Sequence, residues 1–381
     1  MATIPSEEVT ASSNAQDEVE ISPNWALHGW NLLKRNDKYS PLPGDLKDKI
    51  TYKIISDARD LIYDKGLVHK TPVIDGRYLL GPGTKNIMQL VRGFEMKCEN
   101  MQCSGSFKMR GASYQFSQIE DISEECLITI SAGNYGTSFA TLAKELGVAQ
   151  QAYVYMPKTV PLTRKQRIEA FGVSVNCNYP QESLMDGISE KQRLLRKSGM
   201  NSNFLHPFDD INVIIGHGSA GLELLEQVPD ADIVLVCCGG GGFLAGVTAA
   251  IRLSGNKKTK VYGVEHTISC TMFDSLHSNK IAHMMENPSK TICHGISAPF
   301  TGQIPFKIFR ALGDGVIKIT EEEALGAVKL LYKVGLVVEP SGAAAVAAVL
   351  SNKVPDIEGK KVVAFITGGN VTPEELTKCG V

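Results

Sequence analysis

The sequence lacks a charge excess of either sign: 39 Lys and Arg stand against 41 Asp and Glu, a formal charge of −2. No basic field is available to hold a nucleic acid or an anionic membrane surface. Cys-x-x-Cys pairs are also missing, and the nine cysteines are an odd number scattered through 381 residues. That argues against a disulfide framework and a zinc site, and suits a reducing, cytoplasmic compartment. Residues 1–33 contain no Lys or Arg, but they do carry Glu7, Glu8, Asp17, Glu18 and Glu20. A secretory leader needs a basic start and a transit peptide is basic and poor in acids, so neither is expected; a disordered acidic tail to about Ser22 is. The glycine run at residues 239–242 fits neither GxGxxG nor GxxxxGK[ST], so it does not indicate a dinucleotide or a P-loop nucleotide.

An unbroken membrane span is absent too. Residues 233–251 are uncharged, but Gly239-Gly240-Gly241-Gly242 interrupts them and would wreck a lipid-exposed helix. A buried strand, a glycine turn and a helix are expected there. The same alternation recurs along the chain. Strands are expected at residues 127–130, 151–156, 233–236, 261–264 and 362–365, and helices at 135–146, 162–171, 243–253 and 320–334. The last helix carries the capping box Thr320-x-x-Glu323. A further helix is expected from about Lys47 to Tyr63. Strands that are apolar throughout, separated by amphipathic helices, imply an α/β fold of parallel or mixed twisted sheets with helices on both faces. Trp25 and Trp30, the only tryptophans, suggest a segment that docks on the core or on a partner.

Glycine is abundant, with 36 residues, and four segments concentrate the chemistry. The four-glycine turn can expose backbone N–H groups at a helix start and hold a phosphate, beyond what packing alone needs. Lys108 lies within Ser106-Phe107-Lys108-Met109-Arg110-Gly111-Ala112. Ser131-Ala132-Gly133-Asn134-Tyr135-Gly136 runs from a strand end into a helix start, offering donors to a carboxylate or simply capping the helix. Thr367-Gly368-Gly369-Asn370 follows the last strand.

Together these segments, with His206-Pro207-Phe208-Asp209-Asp210, Gly216-His217-Gly218-Ser219 and Glu339-Pro340-Ser341-Gly342-Ala343, resemble the tryptophan-synthase-β-like pyridoxal-phosphate enzymes over about residues 68–371. The resemblance is to the serine/threonine dehydratase and serine racemase branch. It implies pyridoxal 5'-phosphate as cofactor, Lys108 as its Schiff-base lysine, and Gly239, Gly240, Gly241 and Gly242 around its phosphate. It also implies Asn134 at the ring's phenolic oxygen, Phe107 beside the ring and Thr367 at the pyridine nitrogen. Ser131, Gly133, Asn134 and Tyr135 would surround the substrate carboxylate.

The organisation implied is an N-terminal extension (1–46), a large cofactor domain (47–124 and 205–381) and a small inserted domain (125–204), in a homodimer. The activity implied is an L-serine/L-threonine ammonia-lyase yielding a 2-oxo acid and ammonia. A racemase of the same branch or a catalytically idle cofactor-binding protein are the alternatives. Ala132 opposes racemisation, since it stands where racemases of the branch resemble a second serine and a methyl group donates no proton. Thr271, six residues after Glu265, leaves no acidic partner for a metal of the racemase kind, so no metal is expected. Tyr135 and His294 depart from the branch's usual residues near the substrate.

Overall fold

The computed structural model describes residues 25–27, 32–35, 39–79, 85–284 and 290–381. Most of the acidic N-terminal segment, including Trp30, lies outside the described residues. Twelve strands are described: β1 (Trp25–Leu27), β2 (Leu32–Arg35), β3 (Val73–Asp75), β4 (Gly93–Cys98), β5 (Glu125–Ile130), β6 (Ala152–Tyr155), β7 (Ser174–Asn176), β8 (Asn201–Leu205), β9 (Ile233–Cys237), β10 (Lys260–His266), β11 (Gly315–Ile319) and β12 (Lys361–Ile366).

They form two sheets. The larger has the order β1-β2-β11-β10-β9-β12-β4-β3, and the smaller the order β7-β6-β5-β8. The small sheet is parallel throughout. In the large sheet, β11, β10, β9, β12 and β4 are parallel, and the antiparallel strands β1, β2 and β3 lie at the edges. The fold is therefore the α/β arrangement that the strand–helix alternation implies. Every residue of β9 is buried, as a strand covered on both faces requires. One face carries the helices Glu321–Lys333 and Ala344–Leu350. The opposite face is covered by Ile211–Gln227 and Gly242–Leu253.

Local chemistry explains most element boundaries. Thr320 and Glu323 form the expected capping box on both sides. The helix expected from about Lys47 instead spans Tyr52–Asp64, because Thr51 takes the N-cap and its hydroxyl accepts from the Ile54 amide. The preceding residues form turns that bury Leu46 and Ile50. Residues 233–251 form β9, the glycine turn and a helix, and no described helix is long and apolar enough to cross a membrane.

Candidate active site

Strand β9 ends at Cys237, and the chain turns through residues 239–242 into the helix Gly242–Leu253. A Cβ at Gly240 would fall 2.2 Å from the Phe208 ring, and one at Gly242 would fall 2.7 Å from the Phe208 carbonyl oxygen. Gly241 has φ +91°, and its Cβ would meet Met272 and Pro305 at 2.8 Å. Packing thus requires three of the four glycines, contrary to the expectation that the run exceeds packing needs. The turn keeps its chemical capacity nonetheless. The helix's first N–H groups have no intrahelical acceptor, and the helix dipole adds positive potential.

Phe208 is held by a segment whose polar side chains are structural. His206 Nδ1 accepts from the Phe208 and Asp209 amides. The Asp209 carboxylate accepts from the Gln303 and Ile304 amides, capping one helix, and Asp210 caps another through Asn212 and Val213. This rigid segment presents the Pro207 carbonyl, to which Lys108 Nζ donates at 2.8 Å. Lys108 is partly accessible as a residue, yet its nitrogen is crowded by protein atoms. Removal from water pulls its ammonium down to about 7. Nζ also stands 5.7 Å from the centre of the Tyr135 ring.

The position of Lys108 is fixed from both sides. The Phe107 amide donates to the Thr367 carbonyl at 3.1 Å, and Ser106 bridges to Gly368. The Phe107 ring lies 4.1 Å from Phe243 and 5.0 Å from His217, centre to centre. One turn deeper, fully buried Arg110 pairs with Glu99 at 2.7 Å and with Glu223 at 3.0 Å, and Glu223 also pairs with buried Lys97. The Ser106 hydroxyl is buried without a hydrogen-bond partner.

The loop after β5 meets this lysine from the small sheet. Ser131 Oγ accepts from the Gly136 amide at 2.9 Å and from the Gly133 amide at 3.3 Å. The helix Asn134–Glu145 thereby has its third N–H satisfied. The Asn134 and Tyr135 amides, at its first two positions, lack intrahelical acceptors and can grip a carboxylate. The Tyr135 ring is buried near Lys108 Nζ, with its hydroxyl donating to Gln115 Oε1. The backbone of Tyr135 offers the donor, and the ring walls the lysine side of the site.

The Asn134 side chain accepts from Asn370 Nδ2 at 2.8 Å and donates to Glu339 Oε1 at 2.5 Å. Glu339 is a site residue to which the motif reading assigned no role. Burial pushes its carboxyl up to about 7, against the Asn134 hydrogen bond and the charges of Arg164 and Arg167. Its signal was membership of the 339–343 segment. Thr367 is buried at the end of β12. His294 is exposed, and the neighbouring Gly295 amide donates to Ser341 Oγ at 2.7 Å.

Glu265 accepts from the Met272 and Phe273 amides at 2.9 Å each and caps a helix. No group of three or more candidate metal ligands occurs among the described residues.

An amine with a substantial neutral fraction, a helix start with unpaired N–H groups and a fixed amide donor suit a phosphorylated aldehyde such as pyridoxal phosphate. Residues 88–368 match a family model described as "Pyridoxal-phosphate dependent enzyme". The chain is 33% identical over 315 residues to the catabolic L-threonine dehydratase of Staphylococcus aureus, covering 81% of this chain and 86% of that one. Its structure is similar to the processed form of threonine deaminase isoform 2 from Solanum lycopersicum, at 27% identity, 90% coverage of each chain and a TM-score of 0.76. It is also similar to the serine racemase of Dictyostelium discoideum, at 31% identity, 85% coverage of this chain, 99% of that one and a TM-score of 0.74.

Proposed function

The chain belongs to the family of pyridoxal-phosphate-dependent enzymes, and from that premise we propose that it is an L-serine/L-threonine ammonia-lyase releasing a 2-oxo acid and ammonia. The observation that carries the reading is Lys108 Nζ, desolvated to a pKa of about 7 and bonded to the Pro207 carbonyl, next to the Phe208 that packs on the four-glycine turn. An amine in that state can take a proton from a substrate carbon near neutral pH.

When bound, pyridoxal phosphate supplies a sink for the electron pair left on the substrate's α-carbon. In our reading Lys108 would hold the cofactor covalently and, once the substrate's amine has displaced it, its freed Nζ would accept the α-proton. The turn at Gly239, Gly240, Gly241 and Gly242 binds the phosphate, and Asn134 Nδ2 donates to the phenolic oxygen. Phe107 packs beside the ring and fixes the start of the lysine helix. Thr367 offers the pyridine nitrogen a neutral hydroxyl, which stabilises a protonated ring less than a carboxylate would and favours prompt loss of the β-hydroxyl. The amides of Asn134 and Tyr135, with Gly133 and the Ser131 hydroxyl, orient the substrate carboxylate.

We read residues 125–204 as a small domain that closes over the substrate and excludes water. Arg164, on the helix Leu162–Glu169, pairs at 2.6 Å with Glu375 on the helix Pro373–Lys378, bridging that domain to the rest of the chain. A cytoplasmic homodimer completes the proposal. Its location is supported by nine free cysteines.

Gly240→Ala is expected to push Phe208 off the turn, costing about 1–3 kcal/mol. Because the clash exists without the cofactor, the loss should appear as a lower melting temperature of stripped protein, and displacement of the turn should also weaken its titration with pyridoxal phosphate.

Likeness to the Dictyostelium serine racemase supports a second reading, racemisation. Ala132 opposes it, because the methyl group cannot carry a proton to the second face. The deciding assay is 2-oxo acid release from L-serine, L-threonine and L-threo-3-hydroxyaspartate, with chiral analysis of the remaining substrate. Oxo acid with unchanged chirality is the expected result. Scrambled chirality without oxo acid would overturn the lyase.

A further inference from the structure

We propose that Glu339 is a positioning residue that aims the Asn134 amide at the cofactor and couples the ionisation of the cofactor's ring oxygen to its own carboxyl. The inference rests on the site being a pyridoxal-phosphate site and deepens that reading. It starts from donor and acceptor counting at Asn134. The amide has two N–H donors and one carbonyl oxygen. The oxygen accepts from Asn370 at 2.8 Å, and one N–H donates to Glu339 Oε1 at 2.5 Å. These two bonds fix which way the amide faces, leaving one N–H of Nδ2 for a ligand oxygen.

The backbone is built to bring this carboxyl in. The Glu339 amide donates to the Gly368 carbonyl at 3.0 Å. A Cβ at Gly368 would lie 2.1 Å from Glu339 Oε1 and 3.0 Å from Asn134 Nδ2, so any other residue at 368 would push the pair apart. Asn370, two residues on, supplies the opposing bond and also donates to the Ser104 carbonyl. Glycine at 368 and asparagine at 370 thus serve one arrangement, the orientation of a single amide between a carboxyl and a second amide.

An ionised carboxylate 2.5 Å from Nδ2 repels negative charge on the oxygen that the other N–H would hold; a protonated one does not. The groups facing Glu339 are Arg164 and Arg167 on the helix Leu162–Glu169 and Glu375 on the helix Pro373–Lys378. His294 acts on Glu375 in turn. Burial nevertheless leaves Glu339 titrating near 7. The two ionisations must then be linked: as Glu339 loses its proton, the ring oxygen holds its own more tightly.

The test is a pH titration of the visible absorption of cofactor-loaded protein, from about pH 6 to about pH 9. The native protein is expected to show a spectral step with a midpoint near 7. Glu339→Gln should keep the cofactor and lose that step, because the amide preserves the bond partner without the proton. Asn134→Ala should lose the same step with Glu339 in place, which reads the link even if Glu339→Gln folds poorly. A step that persists at the same midpoint in either folded variant overturns the proposal. So does a native protein whose spectrum is flat over this range. Failure of the underlying reading looks different: the native protein would show no visible cofactor band at any pH.

Discussion

Lys108→Ala is expected to abolish 2-oxo acid release from the preferred substrate, with a loss of at least about 10³-fold, since one amine both holds the cofactor and moves the α-proton. The visible band of covalently bound cofactor should vanish with it, while the melting temperature changes little. Normal turnover by this variant would refute the assignment of Lys108. A companion measurement uses native protein stripped of cofactor. Only a neutral amine attacks an aldehyde, so the rate of pyridoxal phosphate uptake should climb with pH and level off above about 7. An ordinary lysine would keep gaining to about pH 10. The sign follows from burial: Lys108 in the folded chain gives up its proton earlier than in the unfolded one. Uptake that rises steadily through pH 9 would mean that Nζ is solvated.

The largest expected effect on stability falls behind the lysine. Glu223 accepts from Lys97, from Arg110 at 3.0 Å, from the Thr71 amide at 2.8 Å and from the Tyr63 hydroxyl. Glu223→Gln keeps the shape but removes the charge, leaving two buried cations facing Glu99 alone. Breaking a buried pair in this way costs about 3–5 kcal/mol, which corresponds to a melting temperature lower by roughly 4–6 °C in a chain of this size. Calorimetry on native and variant protein checks it, and a change under about 1 °C would show that water reaches the cluster.

The same cluster sets an acid limit on stability. Burial alone would raise the Glu223 carboxyl, but Arg110 and Lys97 outweigh it and hold it below its ordinary value. A carboxyl with a depressed folded pKa contributes stability above its unfolded value, and that contribution is lost as pH falls through the folded one. The native protein should therefore lose stability below the ordinary carboxylate range more steeply than Glu223→Gln does.

Strand β4, Gly93–Cys98, marks where local pattern reading stops. Its sequence, Gly-Phe-Glu-Met-Lys-Cys, carries two charges where residues 362–366 of the neighbouring β12 are apolar, and pattern alone did not propose it. Lys97 is fully buried all the same, because its ammonium meets Glu223, 126 residues further along the chain. Tyr135 shows the complementary case. Its place in the Ser131–Gly136 segment brings its backbone to the site, while its ring joins the small-sheet core within 5.7 Å of Lys108 Nζ, and Gln115 satisfies the hydroxyl. Glu339 was visible as a motif letter and silent as a carboxyl. Its proximity to Asn134 depends on Gly368, from a third segment.

What the sequence determined by itself is the chemistry available: a lysine, a glycine turn at a helix start, a donor-rich loop running into a second helix start, and the apolar strands and capped helices that carry them. Those signals are local, written in composition and spacing within ten or so residues. The tertiary structure alone decided which polar groups share a proton or a charge. Removing Lys108 from water, burying Lys97 and Arg110 against Glu223 and bringing Glu339 to Asn134 each require segments far apart in the chain to meet. Desolvation and pairing belong to the packed interior, and no single segment carries them.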